Sequence, residues 1–388
     1  MATTARDRNI GVAYTYDGEL KRALDIAEAY GFRILPPLKV EACDREHAEN
    51  YTCPEHHIAA LKHFDARQET YPDGVARIAH THKVPYKNRL ELRLEILGDR
   101  ESSAEGLLFQ AAHAILQEYG HKNTMVTVNS VGGKETLGSF TQSVGHYFRA
   151  RINELDPECR NNFKKSVFAP LRCTHEACLQ HRTDAPHSLN FLTEQNRQHF
   201  KEVLEYLEAF ELPYAVDPHL VGSEHYTTRT VYSITSSGRH ADEDAPRETV
   251  AWGERYDHLA KRIGLKKVIP AVNITLDLGT RTTKESFKER SRKQTIAVHI
   301  IHAGRPAKMR VLKLAEFLRT SHIRVSMHLH KNSVTEQLER AQLAKVPLLI
   351  IVGQKEVLDG TVMIRHAATS SQESVPLSRV ATYLKSRI

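Results

Sequence analysis

Between residues 90 and 96 the chain alternates strictly, with Leu90, Leu92, Leu94 and Ile96 on one parity and Glu91, Arg93 and Glu95 on the other. Side chains of a strand point to opposite faces with a period of two, so this run predicts a half-buried β-strand that needs a sheet around it. Helices to cover that sheet are supplied nearby. Residues 17–30 put Leu20, Ala23, Leu24 and Ala27 on one stripe and end at Gly31. Residues 103–119 do the same with Leu108, Ala111, Ala112, Ile115 and Tyr119, and residues 194–210 with Phe200, Val203, Leu204 and Leu207 behind the N-capping residue Thr193. A second strand is predicted at 124–129, before a turn at 130–133 whose glycine pair permits positive φ. Two further stretches, 220–234 (LVGSEHYTTRTVYSI) and 249–259 (TVAWGERYDHL), consist mostly of residues that suit strands.

The last quarter of the chain has a different rhythm. Strands are predicted at 295–301, 323–329, 347–352 and 361–365, with helices at 306–320, 333–344 and 375–386, so this part forms a mixed α/β sheet. Residues 281–293 are charged without apolar periodicity and read as a linker. The expected division is therefore a core over 1–281, a linker over 282–294 and a C-terminal domain over 295–388.

Charge follows the same division. Residues 295–388 hold 14 Lys/Arg and 6 Asp/Glu, an excess of +8, while the whole chain carries +7; the remainder is thus near −1. A basic module on a neutral body suits a polyanionic partner. No run of about 18 apolar residues occurs, so no membrane span is expected. The start of the chain has no apolar segment of signal-peptide type, and the 5 cysteines are odd in number. Both imply a reduced, cytoplasmic interior.

Cys173, His175, Cys178 and His181 crowd into nine residues, and Cys53 precedes His56 and His57. The spacing C-x-H-x2-C-x2-H is not a familiar finger arrangement, because tight tetrahedral sites draw ligands from separated turns. No metal site is assigned on this pattern.

The stretches at 220–234 and 249–259 resemble the two histidine-binding signatures of histidyl-tRNA synthetase, LVRGLDYYTRTVFE and AGGRYDGL. Leu220, Val221, Tyr226, Thr228, Arg229, Thr230 and Val231 match the first, and Arg255, Tyr256, Asp257 and Leu259 match the second. The chemical positions differ. The family's arginine, which neutralises charge at the carboxylate and α-phosphate during adenylation, falls on Gly222, and its aspartate three places on falls on His225. The second glycine of the second signature falls on Glu254, whose carboxylate is expected to obstruct the pocket and repel ATP phosphates.

The resemblance runs from about residue 15 to the C-terminus. The segment GFRILPPLKVE resembles the first class II motif, with Pro37 in place of its proline, and implies a homodimer. Asp73 falls on the glutamate that holds the histidine amino group. NRLELRLEILG (88–98) resembles the second strand of motif 2, while the first strand and the loop carrying the ATP-gripping arginine have no counterpart between Thr81 and Lys87. VNSVGGKE resembles the family's LNSIGDRE, and Cys173 matches a cysteine of its DCK segment that is not a metal ligand. IPAVNITLDLGT (269–280) resembles motif 3, but its adenine-sandwiching arginine becomes Thr280; Arg281, one residue on, would be turned away by about 100° on a helix. LLIIVGQKEVLDGTVMIRH resembles the anticodon-binding domain and is the most intact part.

The resemblance implies a class II synthetase-like α+β fold, an antiparallel sheet flanked by helices, with a C-terminal anticodon-binding-like α/β domain. Four losses, at Gly222, Glu254, Thr280 and the motif 2 loop, each remove charge compensation or access that adenylation needs; one such contact is worth roughly 10³–10⁵ in rate in phosphoryl-transfer enzymes. The expectation is a catalytically inactive paralogue without cofactor that binds tRNA or other RNA, or a protein partner, as an adaptor or regulator. The alternatives are an active histidine–tRNA ligase using ATP and Mg, or a regulatory subunit resembling that of ATP phosphoribosyltransferase. Asp73, Gly222, His225, Tyr226, Glu254, Arg255 and Tyr256 would line the relic pocket, with Tyr226, Arg229, Arg255, Tyr256 and Asp257 holding the sheet together. Arg324, Lys355 and Arg365 are the RNA-binding candidates.

Overall fold

The computed structural model describes residues 18–45, 55–71, 73–84, 89–238, 246–280 and 296–388. Helices α1 (Gly18–Ala29), α2 (Glu55–Asp65), α3 (Ser103–Glu118), α4 (Lys134–Arg149), α5 (Pro157–Phe163), α6 (Ala169–Arg172), α7 (Glu176–Arg182) and α8 (Glu194–Ala209) surround an eight-stranded sheet. Its strands are β1 (Arg33–Ile34), β2 (Ala76–Val84), β3 (Arg89–Leu97), β4 (Met125–Gly132), β5 (Tyr214–Val216), β6 (Thr228–Ser236), β7 (Glu248–Arg255) and β8 (Ala271–Thr280), in the order β1-β2-β3-β8-β7-β6-β4-β5. The six central strands pair antiparallel, and only the outer pairs β1·β2 and β4·β5 are parallel.

Three of the helices predicted from apolar stripes fall within a residue of their expected ends, since an amphipathic stripe defines a helix well. Thr193 caps α8 by accepting from the Asn196 amide at 3.3 Å. The strand at 90–96 is correct as a strand but not as a half-exposed one. Arg93 and Glu95 are 5% and 0% exposed, so β3 is buried on both faces and its polar face looks into the molecule.

Two expectations from the motif comparison are corrected. A first strand for motif 2 exists: β2 pairs antiparallel with β3 without a break from Ala76↔Leu97 to Val84↔Arg89. What is short is the connection, four residues lying outside the described ones. Motif 3 does not enter a helix by Thr280, because β8 stays paired with β3 through Arg89↔Thr280. The helical argument for Arg281 therefore has no footing, and Arg281, like the whole expected linker over 282–294, lies outside the described residues.

The C-terminal sheet is ordered β10-β9-β11-β12-β13, from β9 (Val298–His302), β10 (Val325–Met327), β11 (Leu348–Val352), β12 (Thr361–His366) and β13 (Gln372–Pro376). β10, β9 and β11 run parallel, and β12 and β13 complete it antiparallel. Helix α10 (Arg305–Thr320) packs Val311, Leu312, Ala315 and Leu318 on one face, and α11 (Val334–Leu343) covers Ile301 and Leu349 on the other. The short helix α9 (Leu259–Arg262) belongs to the core, and α12 (Gln354–Asp359) and α13 (Val380–Lys385) to the C-terminal domain. The sequence pattern missed α12 and β13; Val375, assigned to the last helix, pairs with Val362 in the sheet instead.

Candidate functional site: a closed polar pocket on the large sheet

The inward polar face of β3 meets polar residues of β2, β7 and β8. Glu95 sits opposite Asn273, and Arg93 lies between His80 and Thr275. Helix α2 covers this face. His57 stacks on Tyr256, with ring centroids 4.3 Å apart and planes 12° from parallel, and His56 packs on His82 at 3.8 Å. Burial and nearby cations such as Arg93 lower His56 to about 2, so it is neutral.

Glu254 occupies the middle. Its Oε1 accepts from Tyr226 Oη at 3.0 Å and lies 3.7 Å from His57 Nε2, while Oε2 accepts from Thr227 Oγ1. Burial alone would raise its pKa, but His57 and the two hydroxyls outweigh burial and hold it below the ordinary carboxylate value. Glu95 is held the same way. Its burial is offset by His80 and His57 and by the hydroxyl of Tyr256, which donates to Oε2. The acceptors of the pocket are thus paired internally, and the buried atoms here without a partner among the described residues are nitrogens: His57 Nδ1, His80 Nδ1 and Arg93 Nε.

Gly222 closes the wall opposite Glu254. A Cβ on residue 222 would fall within 3.0 Å of both Thr227 Oγ1 and Glu254 Oε2, so no side chain fits there while Glu254 points inward.

Behind this wall lies a second buried network with a different task. Arg255, with no exposed surface, donates to Glu105 in a two-pronged pair at 2.8 and 2.6 Å and to the Asp99 carbonyl at 2.8 Å. Glu105 also accepts from Thr230 Oγ1 at 2.7 Å and meets His199 Nε2 at 3.0 Å. Burial opposes ionisation of Glu105, yet Arg255 and His199 pull it well below the usual range. Asp257 accepts from the Ala271 amide at 3.1 Å and pins β7 to β8. These residues tie α3, α8 and the sheet together, and a buried pair of this kind costs about 3–5 kcal/mol when one partner is removed.

Of the residues expected to share the relic pocket, Gly222, Tyr226, Glu254 and Tyr256 come together. Arg255 is structural. His225 is half-buried in the turn before β6, where its amide donates to Ser223 Oγ at 3.2 Å. Asp73 stands elsewhere, in ion pairs with Arg340 at 2.7 Å and His328 at 3.6 Å of the C-terminal domain. His57, His80 and Glu95 were missed, although the histidine pair at 56–57 and the charged parity of 91–95 were the available signals.

The chain has relatives across most of its length. It is 25% identical over 317 residues to the histidine–tRNA ligase of Clostridium botulinum (strain Loch Maree / Type A3), covering 81% of this chain and 74% of the relative. The match to the ligase of Symbiobacterium thermophilum is also 25% over 317 residues, covering 80% and 71%. Residues 295–387 match the anticodon binding domain family. Over most of its length the chain is similar to histidyl-tRNA synthetases. Its fold is that of apo S. aureus histidyl-tRNA synthetase, with a TM-score of 0.53, 17% identity, and coverage of 95% of this chain and 94% of that one.

Beside the second signature this chain places the Glu254 carboxylate in the pocket. The seam between its two domains is also ionic. Arg305 pairs with Glu202 and Glu205, Lys308 with Glu101, Lys313 with Glu211, Arg324 with Glu28 and Arg340 with Asp73. Five cations of the basic domain are therefore matched by acids of the core. Arg324 is one of them, which separates it from Lys355, exposed on α12, and Arg365, on the sheet face beyond the cover of α11.

Proposed function

We propose that this chain is a histidyl-tRNA synthetase-family protein without aminoacylation activity, acting as an RNA-binding adaptor through its C-terminal domain. The observation that carries the reading is Glu254. A synthetase pocket must admit histidine beside the α-phosphate of ATP and compensate the developing charge. Here an ionised carboxylate fills that space and Gly222 supplies no cation. Of the unpaired pocket atoms, Arg93 Nε is an obligate donor, the wrong complement for an ammonium group.

ATP–pyrophosphate exchange tests this directly. The expected result is no histidine-dependent exchange above background with ATP and Mg; exchange well above background overturns the reading and restores the ligase.

The adaptor is proposed to be a homodimer. β1 is the outer strand of the large sheet, with Pro36 and Pro37 exposed just beyond it, where the family's first motif makes its dimer contact. Sedimentation at micromolar concentration should give twice the chain mass, and a monomer there removes this part of the proposal.

A further inference from the structure

Residues 150–192 lie beside the large sheet as short helices, and three of the chain's cysteines meet there. Cys159 comes from α5, Cys173 from the C-terminal end of α6 and Cys178 from α7. Their Sγ atoms all lie within 4.8 Å of one another, and none is in a disulfide. His175, at the N-terminus of α7, brings its Nδ1 to 3.2 Å from Cys173 Sγ. His181, which the sequence pattern grouped with them, faces Glu154 at 3.2 Å instead. Cys159, fourteen residues before Cys173, takes its place.

We propose that Cys159, Cys173, Cys178 and His175 form a structural zinc site of the Cys3His type. Tetrahedral zinc with bonds of about 2.3 Å to sulfur sets sulfurs about 3.8 Å apart, so the three thiols need only a small contraction. The ligands also come from separated turns, which the linear C-x-H-x2-C-x2-H spacing alone did not provide. Cys159 and Cys178 are buried at 3% and 0% exposure, whereas Cys173 is half-buried and His175 exposed. The site is thus closed from below and reached from the surface, through a cavity lined by Asn162, Cys173 and His175.

The surrounding helices explain what the metal does. α5 and α7 have 7 residues each and α6 has 4. Helices of this length do not persist without tertiary support. Zinc clips all three to one point, with the thiols losing their protons to solvent on binding and no change in oxidation state. Asp156, which caps α5 and lies 3.7 Å from His175 Nδ1, faces the same position and is the competing fourth ligand.

The test uses the untagged full chain under reductant, with cobalt and zinc as probes. One zinc per chain is expected in the purified protein, and cobalt should give the intense visible bands of a tetrahedral thiolate site. Cys159→Ser is expected to lower zinc affinity about 100-fold or more, measured by chelator competition. His175→Ala should weaken binding while Asp156→Asn does not; the reverse result removes His175 from the site. If Cys159→Ser fails to fold, the parent still decides the matter. A folded, reduced parent that takes up neither metal stoichiometrically, or a native disulfide among the three cysteines, overturns the proposal.

Discussion

Gly222 and Glu254 share one space: the carboxylate of Glu254 stands where the first side-chain atom of residue 222 would be. The residues allowed at the two positions are therefore coupled. With a glutamate at 254 only glycine fits at 222, and with a long side chain at 222 the glutamate could not turn inward.

This relationship predicts non-additive stabilities. Gly222→Ala alone should destabilise by about 1–3 kcal/mol, as overpacking does. Glu254→Gly alone should cost a similar amount, since it removes the carboxylate that accepts from the Tyr226 and Thr227 hydroxyls. In the double variant Gly222→Ala should cost about 1 kcal/mol less than in the parent, with a residue of strain against Thr227. Urea titration of the four proteins measures the coupling. Strictly additive costs would mean that the two positions do not compete for space.

How much of this was legible in the sequence depends on the range of the interaction. The stripes at 17–30, 103–119 and 194–210 are local, and they gave helices close to those observed. The motif positions Tyr226, Glu254, Arg255 and Tyr256 are visible in the sequence, but their contacts come from partners far along the chain. Arg255 meets Glu105 across 150 positions, and Tyr256 meets Glu95 across 161. A period of two at β3 cannot distinguish a polar face in water from one facing a buried pocket, so Arg93 and Glu95 were read as surface. The motif resemblance puts Asp73 at the amino-acid site, whereas its partners Arg340 and His328 lie in the other domain.

Buried neutral histidines predict a pH dependence. Burial lowers His299 and His302 to about 4 and His330 to about 3, and neither ring nitrogen of His330 is bonded among the described residues. The unfolded chain takes up these protons near pH 6.5 while the folded chain does not, so stability falls as pH drops below 6.5. Between pH 7.5 and 5.5 the loss should be about 1 kcal/mol per histidine. Glu95 and Glu254, whose folded pKa values are depressed, keep their full contribution in this window, because it is lost only below the unfolded carboxylate pKa. Urea midpoints across that range check the slope. His302→Leu should flatten it by about one proton; an unchanged slope would show that His302 titrates normally in the folded protein.

The proposed RNA surface predicts a particular salt response. Arg324 is engaged by Glu28 at 3.2 Å, so of the three candidate cations Lys355 and Arg365 remain for an external phosphate. Met363 and Arg365 share a face of β12 with Gln372 and Ser374 of β13, and this face extends the sheet past the cover of α11. Filter binding of the full chain to total tRNA should weaken steeply with salt, by about 0.7 in log K per log salt for each neutralised phosphate on single strands. Lys355→Glu/Arg365→Glu should lower that slope by about 1.4 and weaken binding at low salt, whereas Arg324→Gln should leave the slope unchanged. No binding at low salt, or a double variant that binds as well as the parent, would rule out this face as the RNA site and favour a protein partner for the adaptor.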